Sequence, residues 1–306
     1  MRYSMITEKR KKRDDLLDIL FLSPQLILYL TFTIAPFLIG FYIIFTNRIN
    51  YMTTDVDFIG LKNFVSIFKQ PLVEPFLASV QRTAIFTVLN YITVFLFGMP
   101  LALLMYEYGS KHKNGFFSII YLPYIISGLG TGLLLVMLLS RDNGSINLLL
   151  LKLGVIKNAL DIKNPLVSAI ALPLIVGWRS AGFNMALFLT GLMSIPVDTI
   201  DASKVDGVSY WQKLRFIYFP QMVPSLVMAT IFCLIGSFGI FDVPVGMGGL
   251  TSNVSVRYFA LHLYQSGFGA QQGSTLAEAI TMSMVVYVPL VFGAFFLNSV
   301  QKKLQY

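Results

Sequence analysis

A polar stretch between two long apolar runs reads DASKVDGVSYWQKLRFIYFP at residues 201–220, and Pro224 follows one turn later. Helix-forming residues lie on both sides of a single glycine, Gly207. Because glycine adopts a positive φ at little cost, the pattern predicts a sharp turn between two short helices. Proline cannot donate a backbone hydrogen bond, so Pro220 is predicted to end the second helix before the next apolar run.

The composition indicates a membrane protein. Of the 306 residues, 56% are hydrophobic and only 12% are charged, whereas a soluble domain carries about 25% charged residues. The net charge of +8 could point to nucleic acid. However, the basic residues lie mostly between apolar runs, where anionic lipid headgroups and membrane topology account for them better, and no nucleic-acid partner is expected.

Six apolar stretches are each long enough for a helix to cross the hydrocarbon, which takes about 20 residues. Open sheet edges cannot face lipid, so every span is predicted to be a helix. We therefore expect an all-α polytopic membrane protein with six transmembrane helices. Residues 1–18 form a cytoplasmic N-terminal segment in this interpretation, and residues 19–306 form one transmembrane domain. The spans are predicted within residues 19–47, 83–106, 114–140, 164–197, 216–241 and 279–301.

Glycine and proline give further expectations inside these spans. Pro36 is expected to kink the first span. Gly128 and Gly132 have the small-xxx-small spacing that allows close helix approach, although chance could produce this spacing in a glycine-rich span.

The 201–220 stretch resembles the EAA loop of ABC-importer permeases. The residues in matching positions are Ala202, Asp206, Gly207, Ile217, Pro220 and Pro224, and Asp201 stands where the family usually has Glu. In that family the loop is a cytoplasmic helix–turn–helix that docks into a cleft on an ATPase subunit. The resemblance therefore implies a coupling loop over residues 198–224, with its ATPase-coupling residues at Asp201, Ala202, Asp206, Gly207, Ile217 and Pro220. The alternative for Asp201 is that its side chain merely caps a helix.

Two shorter motifs occur in the same order as in sugar-importer permeases of the maltose and glycerol-phosphate type. FIGLKNF at residues 58–64 resembles the segment that precedes the transmembrane core, and GSINLLL at 144–150 resembles an outer loop. The chain departs from the family at 246–249, where it reads GMGG in place of a common T-x-G-G-P run. The apolar patch at 254–264 is too short to span, so we expect it at the outer interface or on the core.

The resemblance implies a type I ABC importer permease fold and uptake of a sugar or oligosaccharide. Its implied partners are a second homologous permease in a heterodimer, two ATPase subunits, an extracellular solute-binding protein and membrane lipid. ATP and Mg²⁺ would be bound by the ATPase subunits and no cofactor by this chain. The protein would lie in the plasma membrane as a multi-pass subunit.

The distribution of basic residues predicts the orientation. The basic clusters at 9–13 and 302–303 both fall inside if the N-terminus is cytoplasmic, which follows the positive-inside rule. Six spans then place both termini and the 201–220 loop in the cytoplasm.

The sequence argues against the competing classes of function. An ion-coupled transporter usually needs several intramembrane carboxylates or histidines, but Asp242 and Glu278 lie at span ends and the two histidines, His112 and His262, are far apart. An intramembrane enzyme needs a nucleophile with a base, or paired carboxylates. Neither is found, so no catalytic residue is predicted. Cys233 is the single cysteine, so a Cys-based metal site is excluded as well.

The candidate residues of a translocation pathway are Arg179, Trp178 and Asn184 in the fourth span and Asp242 at the outer end of the fifth. An arginine at bilayer depth costs about 2.5–3.5 kcal/mol on insertion scales, so Arg179 should face the protein interior or a water-filled cavity. Either it lines the pathway, or it is a structural arginine that satisfies the carbonyls of a broken helix. Asp242 should lie too far outward to pair with Arg179, unless the fifth helix unwinds near Gly236 or Gly239.

Overall fold

The computed structural model describes residues 19–108, 113–251, 253–268 and 273–304. Within these residues the regular structure is helical, apart from an isolated β-bridge between Thr46 and Phe58. The predicted N-terminal segment 1–18 lies outside the described residues, as do Lys111 and His112 of the loop between the second and third spans.

The helices are numbered in chain order, and three of them, α1, α3 and α9, contain a π-helical turn. Their bounds are α1 Ile19–Ile43, α2 Lys62–Ser66, α3 Val73–Tyr108, α4 Lys113–Ile125, α5 Gly128–Leu138, α6 Ser145–Lys152, α7 Pro165–Met193, α8 Val197–Val205, α9 Tyr210–Gln221, α10 Val223–Phe238, α11 Asp242–Gly246, α12 Phe259–Gly267 and α13 Leu276–Leu304.

Four helices, α1, α3, α7 and α13, are each long and apolar enough to cross a membrane. Two further pairs pass the same test only together, because each is bent: α4 and α5 meet at 87°, and α9 and α10 at 70°. With each bent pair counted as one span, the six predicted spans are confirmed. The third and fifth spans are therefore broken helices.

The second span begins ten residues earlier than its predicted start at residue 83. Helix α3 starts at Val73 and therefore includes Arg82. The Arg82 guanidinium is accommodated because its Nη1 donates a hydrogen bond of 3.2 Å to the carbonyl of Arg257.

Two of the prolines inside helices, Pro36 and Pro220, follow π-turns. The π-turn Leu30–Ile34 ends two residues before Pro36 in α1, and the π-turn Leu214–Tyr218 ends two residues before Pro220 in α9. In each, a backbone N–H reaches five residues back, so the missing proline donor does not interrupt the helix. The prediction that Pro220 ends its helix is therefore wrong: α9 continues to Gln221, and the break comes at Met222.

Helix α7 lies at the centre of the packing. Three of its glycines each allow the close approach of a different neighbouring helix. A Cβ at Gly182 would lie 2.5 Å from the Tyr121 Cα and 2.6 Å from the Ile120 carbonyl oxygen of α4. In the same way Gly177 faces Thr93 of α3, and Gly191 faces Ser225 of α10. Small residues at helix contacts let backbones approach closely in a membrane, where the hydrophobic effect does not drive helix association.

The small-xxx-small spacing of the third span serves a similar contact. Gly128 lies against the Cβ of Asp242, and Gly132 lies against the backbone of Val243 and Gly246. The close approach is therefore made by the short helix α11, which packs on α5.

The two short sequence motifs contain buried asparagines that fasten the loops. The Asn63 Nδ2 donates to the carbonyls of Ile44 and Thr46, each at 2.8 Å, and so ties α2 to the end of α1. The Asn147 amide bonds both the carbonyl and the N–H of Leu160 and so fixes the segment between α6 and α7. Each motif thus supplies side-chain hydrogen-bond partners for backbone N–H and C=O groups of the loops, which have no partner within a helix.

The apolar patch at 254–264 packs on the core, which decides between the two predicted placements. Phe259 and Leu261 of α12 are fully buried. The Phe259 ring lies 5.6 Å from the Tyr287 ring of α13, and its N–H donates to the Thr83 hydroxyl of α3 at 2.9 Å.

We expect Gly182→Ala to destabilise the protein by about 1–3 kcal/mol, because the new methyl group overlaps the backbone of α4. The matched control is Gly293→Ala on α13, where nothing lies within 4 Å of an added Cβ. The measurement is the apparent melting temperature of the purified protein in one detergent. Equal melting temperatures for the two variants would contradict the close packing at Gly182.

Candidate functional site

A cavity of about 290 Å³ lies between α3, α7, α10 and the segment that joins α10 to α11. Helix α7 presents residues to it at the spacing of one helical face, from Val176 to Asn184. The wall mixes polar with aromatic side chains. The polar ones include Asn90, Arg179, Ser180, Asn184 and Asp242, and the aromatic ones are Phe86, Tyr124, Phe183, Phe232 and Phe241.

Arg179 joins the cavity to the break in the third span. Its Nε donates a hydrogen bond of 2.9 Å to the carbonyl of Ile126, which lies between α4 and α5. Its guanidinium carbon lies 6.0 Å from the centroid of the Tyr124 ring. Ser127 serves the other side of the break, because its hydroxyl caps α5 by accepting from the Gly130 N–H. Arg179 therefore satisfies a broken-helix carbonyl and also lines the cavity.

Asp242 reaches the same cavity because the fifth span does not continue as a helix. Helix α10 ends at Phe238, Gly239 follows it, and Asp242 begins α11. The fifth helix therefore unwinds near Gly239, which was the condition for Asp242 to share a site with Arg179. Among the described residues the two side chains form no ion pair, so each presents its charge to the cavity separately.

Asn184 lines the cavity, and its Nδ2 donates to the carbonyl of Ser180 at 3.0 Å within α7. Trp178 does not join it. Consecutive helical residues project about 100° apart, and Trp178 lines a separate apolar groove with Leu135 and Leu174. The structure thus brings together Arg179, Asn184 and Asp242 and leaves Trp178 outside.

Sequence reasoning missed the residue that lines the cavity from α3, Asn90. Its Nδ2 donates to the Ser237 hydroxyl at 3.3 Å and to the Cys233 sulfur at 3.5 Å. Its Oδ1 is buried and has no hydrogen-bond partner among the described residues. The available signal was an amide side chain in an otherwise apolar span, which is costly in lipid and therefore seldom faces it.

The predicted turn of the 201–220 loop is confirmed. Gly207 has φ +66° and follows α8. Its N–H bonds the Lys204 carbonyl, and the N–H of Val208 bonds the Ser203 carbonyl, which together form a Schellman motif. Helix α9 then begins with a capping box between Ser209 and Gln212. The chain therefore reverses between two capped helices.

The predicted coupling residues of the loop differ in exposure. Asp201 and Ala202 on α8 and Asp206 at its C-cap are exposed, whereas Ile217 of α9 is partly buried against the core. Asp201 does not cap the helix, because α8 begins at Val197. Its carboxylate instead accepts from the Lys204 ammonium at 2.9 Å, and this bond raises the pKa of Lys204.

Two large apolar side chains of the loop were not singled out from the sequence. Val205 and Trp211 are 87% and 75% exposed. Asp201 and Asp206 are exposed on the same loop, as are the basic residues Lys204 and Arg215, so the loop has a mixed charged and apolar exterior.

Residues 95–303 match the family described as "Binding-protein-dependent transport system inner membrane component". The match spans more than half of the chain, and the protein belongs to this family. It is thus a membrane-embedded transport subunit of an ABC importer and not an enzyme.

The chain is similar to two related permeases over most of the length of each protein. The chain is 29% identical over 272 residues to the probable starch degradation products permease AmyD of Thermoanaerobacterium thermosulfurigenes. The aligned region covers 88% of this chain and 89% of AmyD. It is 25% identical over 278 residues to the lactose permease LacF of Rhizobium radiobacter, with 89% and 90% coverage.

The fold also matches a solved structure. A chain of a bacterial alginate ABC transporter, solved with an alginate pentasaccharide-bound periplasmic protein, superposes with a TM-score of 0.78 and 22% identity. The match covers 96% of both chains. The predicted type I ABC importer permease fold is confirmed.

Arg179→Ala should lower the apparent melting temperature, because the Ile126 carbonyl loses its donor, at a cost of about 1–3 kcal/mol. Arg179→Gln retains an N–H at a similar reach and should recover most of this stability while it removes the charge from the cavity. Melting in detergent and uptake by the assembled importer are the measurements. We expect the Gln variant to be stable and slow. Native uptake by this variant would show that the charge has no part in transport.

Proposed function

We propose that this chain is one of two related permeases of an importer for a sugar or oligosaccharide. The observation that carries the substrate class is the composition of the cavity wall. The rings of Tyr124 and Phe183 are stacked, with centroids 5.1 Å apart and planes 13° apart. They lie beside the planar polar groups of Arg179, Asn184 and Asp242. Apolar ring faces with a few oriented polar groups suit a ligand that has both C–H faces and hydroxyls.

The names of relatives support the same class. AmyD is named for starch degradation products and LacF for lactose. The cavity of this chain holds one guanidinium and one carboxylate, so its formal charges balance. This balance favours an uncharged saccharide over an acidic one, because no excess positive charge is present to bind anions.

The orientation that we propose places the 201–220 loop and both termini in the cytoplasm of a plasma-membrane protein. Lys302 and Lys303 lie at the end of α13 and follow the positive-inside rule in this orientation. A solute-binding protein then delivers substrate at the opposite face. Two ATPase subunits bind ATP and Mg²⁺ below the loop, and this chain binds no cofactor.

In this proposal the loop docks on an ATPase subunit through its exposed exterior. Asp201 and Asp206 supply negative charge, and Val205 and Trp211 supply apolar contact. Ala202 leaves room on the face of α8 for close approach, while Ile217 and Pro220 join the loop to the core and to α10. Movement of the ATPases then displaces the loop, and the loop displaces the membrane helices.

The substrate class is tested with the cognate binding protein. Its melting temperature is measured with a panel of neutral sugars, neutral oligosaccharides, acidic oligosaccharides and amino acids. We expect stabilisation by a neutral saccharide, which should then be accumulated by the reconstituted importer in the presence of ATP. Stabilisation by an amino acid alone would overturn the proposal, and preference for an acidic oligosaccharide would overturn the charge argument.

The docking role is tested at the turn. Gly207→Val should abolish retention of the ATPase subunits on the purified permease pair, because a β-branched residue is strongly disfavoured at φ +66°. Gly207→Asn is the matched control, since asparagine tolerates this region, and it should retain them. Asp201→Ala should weaken retention by removing the carboxylate. Undiminished retention in both the Val and the Ala variants would reject the docking surface.

A further inference from the structure

A shielded polar contact joins the loop to the second span. Glu107, at the end of α3, accepts a hydrogen bond from the Lys213 ammonium at 2.7 Å. The same carboxylate oxygen accepts from the hydroxyl of Tyr218. Lys213 and Tyr218 both belong to α9, so one carboxylate of the second span holds two residues of the loop.

The surroundings of this contact distinguish it from an ordinary surface ion pair. The side chains of Lys213 and Glu107 are only 14% and 22% exposed. The ammonium lies 5.2 Å from the Tyr218 ring centroid and 5.7 Å from that of Tyr210. The nearby Asp201–Lys204 pair is instead 60% and 66% exposed. Since water screens exposed pairs, the Glu107 contact is the stronger mechanical link.

Helix α3, which ends at the Glu107 contact, also forms part of the cavity wall. Asn90 and Val94 of the same helix line the cavity wall. Seventeen residues separate Asn90 from Glu107, which is about 25 Å of helix. A displacement applied at Glu107 therefore reaches the wall along one helix, through its π-turn at Val94–Gly98.

A second wall of the cavity already has a covalent connection to the loop. Helix α10 follows α9 after the break at Met222 and lines the cavity with Phe232 and Gly236. The loop is also joined to α7 through residues 194–196, and the Tyr106 ring of α3 packs 5.7 Å from the Tyr218 ring of α9. The Glu107 contact adds a charged, hydrogen-bonded link between α9 and α3 to this packing. With this link, α3 follows the displacement that α10 receives through the chain.

We propose that Glu107, Lys213 and Tyr218 form a latch that couples the loop to α3, so that ATPase closure moves both walls of the cavity together. Glu107 is a positioning residue in this role, because it touches neither substrate nor nucleotide. The inference rests on the proposed docking of the loop on an ATPase.

The test uses the complete importer in proteoliposomes, with its binding protein and the neutral saccharide that gives this binding protein the largest rise in melting temperature in the panel described above. Glu107→Gln keeps an acceptor for Tyr218 and removes the charge that pairs with Lys213. We expect retained ATPase subunits and continued ATP hydrolysis, with the number of substrate molecules imported per ATP lowered by about tenfold. The exchange Glu107→Lys with Lys213→Glu should restore much of this ratio.

Glu74→Gln is the matched control, because it makes the same change at the other end of the same helix. Glu74 accepts an exposed hydrogen bond from Gln70, and its replacement should leave the ratio unchanged. A native ratio in Glu107→Gln would overturn the latch, as would loss of ATPase retention or failure of the charge exchange to restore import. Failure of the proposed function would appear in the unaltered importer, as absence of saccharide uptake.

Discussion

The close contacts of α7 with its neighbours are the constraint on which the rest of the bundle depends. Lipid tails are as apolar as the helices, so burial of apolar surface gives little preference for one helix arrangement over another. Steric fit must supply that preference. Gly177, Gly182 and Gly191 each admit one different neighbour, and their spacing along α7 sets the height at which α3, α4 and α10 cross it.

These crossings explain why the cavity forms where it does. Gly182 brings α4 into close contact with α7. The chain bends by 87° after Ile125, and Arg179 bonds the carbonyl exposed there. On the other side α10 ends early, and α11 turns back onto Gly128 and Gly132. Two interrupted helices thus leave a polar gap beside a continuous one.

Much of this architecture could be predicted from the sequence, but not its interruptions. The turn at Gly207 followed from one glycine between helix-forming residues, because that signal is local. The break near Ile126 was missed although Ser127, which caps α5, is a local signal of a helix start. Pro123 does not mark the break, since it lies inside α4 and the bend comes after it. The exclusion of Trp178 was accessible in principle, because helical periodicity separates it from Arg179. The pairing of Glu107 with Lys213 could not be predicted, because the two residues are 106 positions apart in the sequence and only tertiary packing joins them.

The two ends of the molecule are held together in different ways, and this difference bears on how it can move. At the end opposite the loop, Asn63 and Asn147 bond backbone groups of two segments at once, so those segments are fixed to the spans they join. At the loop end, Glu107 bonds two side chains of α9, so the second span is fastened to the loop itself. The break at Met222 lies at the end of the loop, whereas the break at Ile126 lies beside the cavity, where Arg179 bonds its carbonyl. A displacement that enters at the loop therefore meets one bend where it enters the membrane helices and a second bend at the cavity that it has to open.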